Sequence, residues 1–541
     1  MAIIGKHIRR NKESEASSNG PSAANIPVFA CICIACILLE GVYLIVSAPA
    51  VRIVLLVAMG CLVVAALAVW VYLFGNREDA PELFALRVFP VLFLVLGLTN
   101  LFFFAPNNVP DEEIHYREVY EYANLLDPTM GPSDMRVEDY DFVNDSELYA
   151  RDINGSFWYR QKQGIPLTAA KTGTTDQDTG LKPVDVRTNQ PQMRIIPALG
   201  VALGRAFGLS GVATFYLGRL FNFLLAFALV VVAVRLMPIG RSIMMTISLL
   251  PMTLHLLASY SYDAEVIGLA FLLIALLMRV ICLDERPSKG VLVASIVVAT
   301  LLTPCKLVYV FMCFVALLAP KERFSSRREM LIWKIAMLAL PLLVLVLLRL
   351  SMLAKVSGIG EDPNATTSRL GEQGVMVSIS SILTNPLHSV LVFFRTLYEM
   401  GPYYLYTLVG GQLGWLQINT GCNDTQTFLL LAALGISAFP SVGDKVCPPR
   451  RVRWSFVAIF FVTFVAIMFS MYLGWTFVTE DTIQGVQGRY FLPVLPLLLL
   501  AMRSEAIVAR IHTMPYISMA IGGLECLYLA QIAFIALSTV A

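Results

Sequence analysis

Charge is scarce in this sequence. Only 14% of its 541 residues are Asp, Glu, Lys or Arg, where a soluble domain carries roughly a quarter, and that shortage excludes a soluble globular enzyme. The formal net charge of +2 provides no electrostatic footprint for nucleic acid. Nearly all of the ten cysteines fall in or beside apolar runs, so no disulfide framework is implied. The single CxxC spacing, Cys33 with Cys36, lies inside an apolar helix candidate without a second pair or a nearby His, which points to packing and not to a metal. P-loop, GxGxxG and HExxH motifs are absent, and no internal repeat is visible.

Apolar surface is abundant instead: 57% of residues are hydrophobic and the mean hydropathy is +0.71. Several stretches of about 20 residues hold no charge, enough to cross roughly 30 Å of hydrocarbon. Apolar windows predict helices near 26–46, 52–74, 87–105, 212–236, 241–258, 263–283, 290–303, 306–319, 331–351, 425–440, 455–474, 489–503 and 515–538, which is about thirteen spans. The expected fold is therefore an all-α polytopic membrane protein. Lys6, Arg9, Arg10 and Lys12 precede a run from Ile26 that is too long for a cleaved signal peptide, so it reads as a retained anchor.

Charge is also segregated. Residues 106–192 contain 16 acidic and 8 basic side chains, while the remainder is basic overall. With the N-terminus in the cytoplasm, Arg77, Arg235, Arg241, Arg279, Lys321, Arg327, Lys334, Arg450, Arg451 and Arg503 all fall in cytoplasmic connections, as the positive-inside tendency requires. That orientation makes 290–319 a tight hairpin whose turn, Thr303-Pro304-Cys305-Lys306, faces outward, and leaves 386–424 as an interfacial helix plus an outer loop. The expected organisation is a basic cytoplasmic segment at 1–25, two added helices at 26–85, a first core helix at 86–105, an external loop at 106–211 and a helical core at 212–541. Within the loop, Lys171-Thr172-Gly173-Thr174-Thr175-Asp176 reads as irregular chain. The run from Arg194 to Leu209, interrupted by Pro197, Gly200 and Gly204, reads as half-inserted or interfacial.

The most informative segment is Pro110-Asp111-Glu112-Glu113-Ile114-His115-Tyr116, just past the third predicted helix. Three carboxylates at the mouth of a membrane bundle, with a His one turn on, suit a general base at the membrane surface. They equally suit a helix start, with Asp111 as N-cap and Glu112 and Glu113 complementing the dipole. The two roles are compatible. Arg219 lies about two turns into an apolar helix, where a guanidinium needs an anionic partner. Lys306 and Arg489 are cations at outer helix ends, where the positive-inside tendency gives no reason for them. For these cations the choice is between a ligand phosphate and either internal pairing with Asp263 or Asp481 or snorkelling to the interface. Asp263 itself either binds substrate or caps its helix. His255 and Glu265 line a cavity or pair with each other, and Glu40 is an intramembrane acid with no evident partner. Trp415, Tyr403, Tyr404 and Tyr406 suit stacking on sugar faces or an ordinary interfacial belt. The Asn-x-Ser/Thr triplets at Asn144, Asn154, Asn364 and Asn423 are treated as chance.

Asp111-Glu112 with His115 and Tyr116 resembles the Asp-Glu motif in the first external loop of GT-C glycosyltransferases. The chain is similar, from about Phe102 to Leu500, to the bacterial membrane family called domain of unknown function 2142, placed in that superfamily. The matching pieces include Leu217-Gly218-Arg219-Leu220, Ser261-Tyr262-Asp263-Ala264, Lys306 with Tyr309, Gly414-Trp415-Leu416 and Gly485-Val486-Gln487-Gly488-Arg489-Tyr490. The resemblance implies a GT-C-like bundle in the bacterial cytoplasmic membrane with its active site outside. It implies transfer of a sugar from a polyprenyl-phosphate donor to a surface glycan, teichoic acid or lipid acceptor, leaving any divalent metal open. Asp111 and Glu112 would be catalytic. His115, Arg219, Asp263, Lys306, Trp415, Gln487, Arg489 and Tyr490 would bind substrate. The rival reading is a flippase, transporter or polymerase of lipid-linked saccharides; a flippase would need charges along a path through the bilayer.

Overall fold

The structure is a computed structural model that describes residues 80–104, 106–144, 181–183, 191–356, 366–369, 371–416, 418, 423–441, 444 and 446–538. The first two predicted helices, Glu40, Asn154, Asn364 and the Lys171 to Asp176 run lie outside the described residues. The described chain is mostly helical. Among the described residues, five helices are long and apolar enough to cross a membrane: Pro81–Phe103, Gly211–Leu236, Asp263–Cys282, Arg327–Leu348 and Arg450–Trp475.

The first of these ends in α1 (Phe89–Phe103), entered through a π-helical turn at Phe84–Val88. A polar layer follows: α2 (Glu112–Asn124), β1 (Asp134–Arg136), α3 (Val137–Asn144), β2 (Leu181–Pro183) and α4 (Ile195–Ala206). β1 and β2 pair antiparallel, Met135 opposite Lys182. This layer has its own small core, in which Tyr116, Val119 and Tyr120 of α2 pack with Val143, Ala198 and Val201 onto Phe215 and Tyr260. The rings of Tyr116 and Phe215 lie 4.8 Å apart and those of Tyr116 and Tyr260 5.1 Å apart, which fixes the start of α2 against the bundle.

The glycines that made the Arg194 to Leu209 run look interrupted are its packing surface. A Cβ on Gly200 would stand 2.7 Å from the Leu217 carbonyl oxygen, so only glycine lets α4 approach α5 (Gly211–Leu236) this closely. Ser210 starts α5 by accepting a hydrogen bond from the Ala213 N–H at 3.2 Å.

The single helix predicted over 241–258 is two, α6 (Arg241–Leu249) and α7 (Pro251–Leu257). Pro251 has no N–H to donate and excludes α geometry at Leu250, which sits at ψ 139°. α8 (Asp263–Cys282) packs along α5, and α9 (Lys289–Leu302) begins at the Ser288 N-cap. The second arm of the hairpin, Leu307–Leu318, is a 3₁₀ helix. At about 2.0 Å per residue its 12 residues cover about 24 Å, close to the roughly 21 Å of the 14-residue α9 beside it. Burial along it repeats every third residue: Tyr309, Met312 and Val315 face inward, while Phe314 and Leu317 are exposed.

Beyond α10 (Arg327–Val356), strands β3 (Thr366–Arg369) and β4 (Glu372–Val375) form a hairpin against Phe477. After the short α11 (Ile379–Thr384), the predicted interfacial segment begins with a 24-residue helix, α12 (Pro386–Val409). Then come α13 (Asn423–Ala438), α14 (Arg450–Trp475), α15 (Leu495–Met502) and α16 (Thr513–Ser538). The predicted 489–503 helix is shorter than expected: Gly488–Phe491 forms a 3₁₀ turn before α15. Pro493, which cannot donate to a helix interior, lies before the start of α15, while Pro496 falls in its first turn, where the missing N–H has no partner to lose.

Helix direction separates the charges. The start of α8, the α9 turn and the residues before α15 share one end of the bundle with α2, joined by Lys306 to Asp263 at 2.7 Å. Arg279 at the far end of α8 bonds to the Leu236 carbonyl at 3.3 Å, and Arg503 pairs with Asp444 at 2.9 Å, at the other end.

Candidate functional site

The three consecutive carboxylates of α2 have three different environments. Asp111 precedes the helix in the left-handed region, φ 62°, and its side chain makes no cap hydrogen bond and is 55% exposed. Glu112 is fully buried and grips Arg219 in bidentate fashion, Oε1 to Nε at 2.7 Å and Oε2 to Nη2 at 2.6 Å. Its Oε1 also accepts from the Tyr260 N–H at 3.1 Å. Glu113 is buried with Oε2 lacking a hydrogen-bond partner. Burial pushes its carboxyl above the usual range, and the charges of Asp111 and Glu112 push the same way.

Arg219 therefore has an internal partner, and it is Glu112, not Asp263 or Asp481. The same guanidinium donates to the Phe104 and Leu101 carbonyls at 2.7 and 3.2 Å, tying α5 to the end of α1. This geometry leaves Glu112 and Arg219 bracing the loop that carries Asp111.

Asp263, the first residue of α8, does not cap its helix. It receives Lys306 at 2.7 Å and stands 3.8 Å from Arg489 Nε. Lys306 is sandwiched between aromatic faces, 4.8 Å from the Tyr262 centroid and 4.2 Å from that of Tyr490. Tyr490 is held through its carbonyl by the Tyr309 hydroxyl at 2.8 Å. Arg489 is only 4% exposed, with Nη2 4.0 Å from Asp111, and its Nε and Nη1 have no hydrogen-bond partner. Gln487 Oε1, two residues earlier, is also buried without one. A buried donor without a hydrogen bond costs about 1–3 kcal/mol, and more when charged, so Arg489, held at ion-pair distance by Asp263 and Asp111, keeps Nε and Nη1 as spare donors for a further acceptor.

His115 reaches this cluster through Tyr262, with ring centroids 4.9 Å apart. Its Nδ1 lies 2.8 Å from Arg194 Nη2 and 3.4 Å from Glu118 Oε2. Arg194 also bonds Glu118, which lies one turn beyond His115. Burial, then the Arg194 charge, hold His115 below its ordinary value. Burial alone would raise Glu118, but the His115 hydrogen bond and Arg194 outweigh it and lower its pKa. Arg194 and Glu118 went unnoticed in sequence; the i,i+3 spacing of His115 and Glu118 on a helix face was the available signal.

Trp415 donates from Nε1 to the Asn107 carbonyl at 2.9 Å and so braces the loop before Asp111. Three non-glycine residues with positive φ, Asn107, Asp111 and Leu416, gather on these two touching loops. Such conformations cluster where neighbours over-determine the backbone, as at functional sites. His255 bonds the Gly414 carbonyl at 3.4 Å, whereas both Glu265 oxygens lack a hydrogen-bond partner. Tyr404 is buried with its hydroxyl unpartnered, and Tyr406 bonds Asp424. No group of three or more His, Cys, Asp or Glu side chains among the described residues is placed to hold a metal ion.

Residues 92–498, roughly three-quarters of the chain, match the family model described as predicted membrane protein (DUF2142). The chain belongs to the DUF2142 family. None of the curated proteins and none of the solved structures matches it. The DUF2142 match takes in every site residue from Asp111 to Tyr490, while α16 lies beyond it. The DUF2142 region thus contains the whole acidic and basic cluster, contributed by α2, α8, the α9 turn and the segment before α15.

Proposed function

We propose that this DUF2142 protein is a membrane glycosyltransferase with a GT-C-like bundle of about thirteen spans, acting on the outer face of a bacterial plasma membrane. It takes a sugar from a polyprenyl-phosphate donor and passes it to a surface glycan, teichoic acid or lipid. The observation that carries this reading is the buried Arg489 guanidinium, whose Nε and Nη1 make no hydrogen bond, 4.0 Å from the exposed carboxylate of Asp111. A cation with spare donors beside an exposed carboxylate suits glycosyl transfer from a phosphate.

In the reaction the acceptor hydroxyl gives its proton to Asp111 as its oxygen bonds to the anomeric carbon. The bond from that carbon to the phosphate oxygen breaks, and the electron pair leaves with the phosphate. Arg489 receives the growing negative charge on the N–H groups that make no hydrogen bond, with Lys306 beside it as a point charge. Asp263 holds Lys306 and Arg489 in place, and Tyr262 and Tyr490 form the walls. His115, Gln487 and Trp415 border this space, and Glu112 with Arg219 sets the position of Asp111. Clustering of charge at one end of the bundle supports a surface reaction over a conduction path.

The test is purified protein in detergent, given labelled polyprenyl-phosphate sugar and membrane-derived acceptor. Donor-dependent labelling of acceptor that disappears in Asp111→Asn supports the reading. Binding of lipid-linked saccharide without any transfer, or its movement across a vesicle membrane, overturns it in favour of a flippase.

A further inference from the structure

The opposite, basic end of the bundle contains a polar cavity that the proposed reaction does not use. It measures about 190 Å³ and is lined by Arg450, Arg453, Trp454 and Val457 of α14 and Ala501 of α15. Arg450, Arg451 and Arg453 occupy the first turn of α14, which has no acidic residue there and no side-chain cap at Pro449. Cations at a helix N-terminus oppose the macrodipole, and uncapped N–H groups there call for an anion. Arg453 spends one Nη on the Arg503 carbonyl at 2.5 Å, but its Nε is buried without a hydrogen-bond partner. Arg503, directly behind, is fully buried and committed to Asp444 at 2.9 Å and the Val446 carbonyl at 3.2 Å. The neighbouring carboxylate thus faces Arg503 and leaves the α14 arginines without it.

The surroundings identify the anion's carrier. Trp454 is 63% exposed at the rim, and Phe461, Val462 and Val465 continue as an exposed apolar face along α14 away from the arginines. An indole at a charged helix end followed by a bare apolar stripe is the surface a phospholipid covers, with its head group among the arginines and its chains along the stripe. We infer that the cavity at the start of α14 binds one anionic phospholipid of the surrounding membrane through its phosphodiester, held by Arg450 and the Arg453 Nε. The positive-inside tendency explains the number of arginines at this end; it does not explain a cavity with a buried, unpaired guanidinium N–H. The inference is independent of the glycosyl-transfer reading, since no residue is shared.

The full chain, purified in neutral detergent, is titrated with phosphatidylglycerol, phosphatidylcholine or inorganic phosphate, and lipid adducts are read by native mass spectrometry alongside the thermal midpoint. The expected result is a retained phosphatidylglycerol adduct that raises the midpoint, with no comparable effect of phosphatidylcholine or phosphate. Arg450→Gln, which breaks no internal bond, should weaken phosphatidylglycerol about tenfold, the worth of one charge-assisted hydrogen bond. Arg453→Lys, which keeps the charge and removes Nε, should weaken it similarly, while Arg328→Gln at another basic helix start leaves it unchanged. Equal binding of the two lipids, wild-type affinity in both cavity variants, or full competition by inorganic phosphate overturns the assignment.

Discussion

Glu112 and Arg219 form an ion pair from which both side chains are wholly withdrawn from solvent, joining residues 107 positions apart. The pair fastens the first turn of α2 to the middle of α5. Breaking a buried pair by neutralising one member costs about 3–5 kcal/mol, because the survivor is left charged and alone. Glu112→Gln and Arg219→Met should each lower the thermal midpoint sharply in detergent. Loss of activity in those variants should follow loss of folded protein. Wild-type stability in both would show that the pair is not structural.

Asp111 should behave in the opposite way. Its carboxylate is half exposed and caps nothing, so Asp111→Asn should leave the midpoint within about 0.5 kcal/mol of wild type while abolishing transfer. Asp111→Gly removes a left-handed non-glycine residue and should stabilise the chain by about 1 kcal/mol. An active Asp111→Gly enzyme would remove Asp111 from the mechanism.

Arg489→Lys keeps a charge and loses the fork, so it should raise the donor concentration at half-saturation and lower turnover. Lys306→Met should weaken donor use, and because it also strips Asp263 of its 2.7 Å partner it should lower stability. Initial rates over a donor series check both; unchanged saturation and turnover in Arg489→Lys would dismiss Arg489 as the phosphate's partner.

His115 yields a pH dependence. Burial and Arg194 hold it below its ordinary 6.5, so the folded chain keeps it neutral where an unfolded chain takes up a proton. Below 6.5 the unfolded state binds more protons; stability is therefore full above that value and is lost as the pH falls toward the folded pKa. Midpoints measured at about pH 7.5 and about pH 5.5 should diverge in wild type and converge in His115→Gln. Equal divergence in the variant would assign the effect elsewhere.

Charge segregation predicts accessibility. A cysteine at Thr129, on the α2 end, should react with an impermeant reagent in intact cells, and one at Arg327 should react only after lysis. The reverse pattern would invert the bundle.

Much of this fold was legible because apolar runs and helix stops are local signals. The helices predicted from 212 and 290 begin within a residue of those positions, behind the Ser210 and Ser288 caps, whereas the break at Pro251 was not read from the sequence. The departures come from what a run of apolar letters does not encode: Leu307–Leu318 reads as helix whether its turn has 3 or 3.6 residues. In the site, Asp111, Asp263, Lys306 and Arg489 announced themselves as charges at helix ends, and the structure brings them together. Partner choice was not legible. Nothing in sequence tells Arg219 to take Glu112, or pairs the fully buried Glu525 with Asn100, 425 positions away at 2.9 Å. Such choices depend on which helices pack, a property of the whole chain.

The 3₁₀ arm of the Leu307–Leu318 hairpin also has a rotational consequence. With three residues per turn its rows of side chains run straight along the axis, so Phe314 and Leu317 stay on one bearing while Tyr309, Met312 and Val315 keep another. In an α-helix the removal of three residues swings everything downstream by about 60°. Here the same removal shortens the arm by about 6 Å and rotates nothing, so the arm can change length in whole triplets while Lys306 keeps its azimuth toward Asp263.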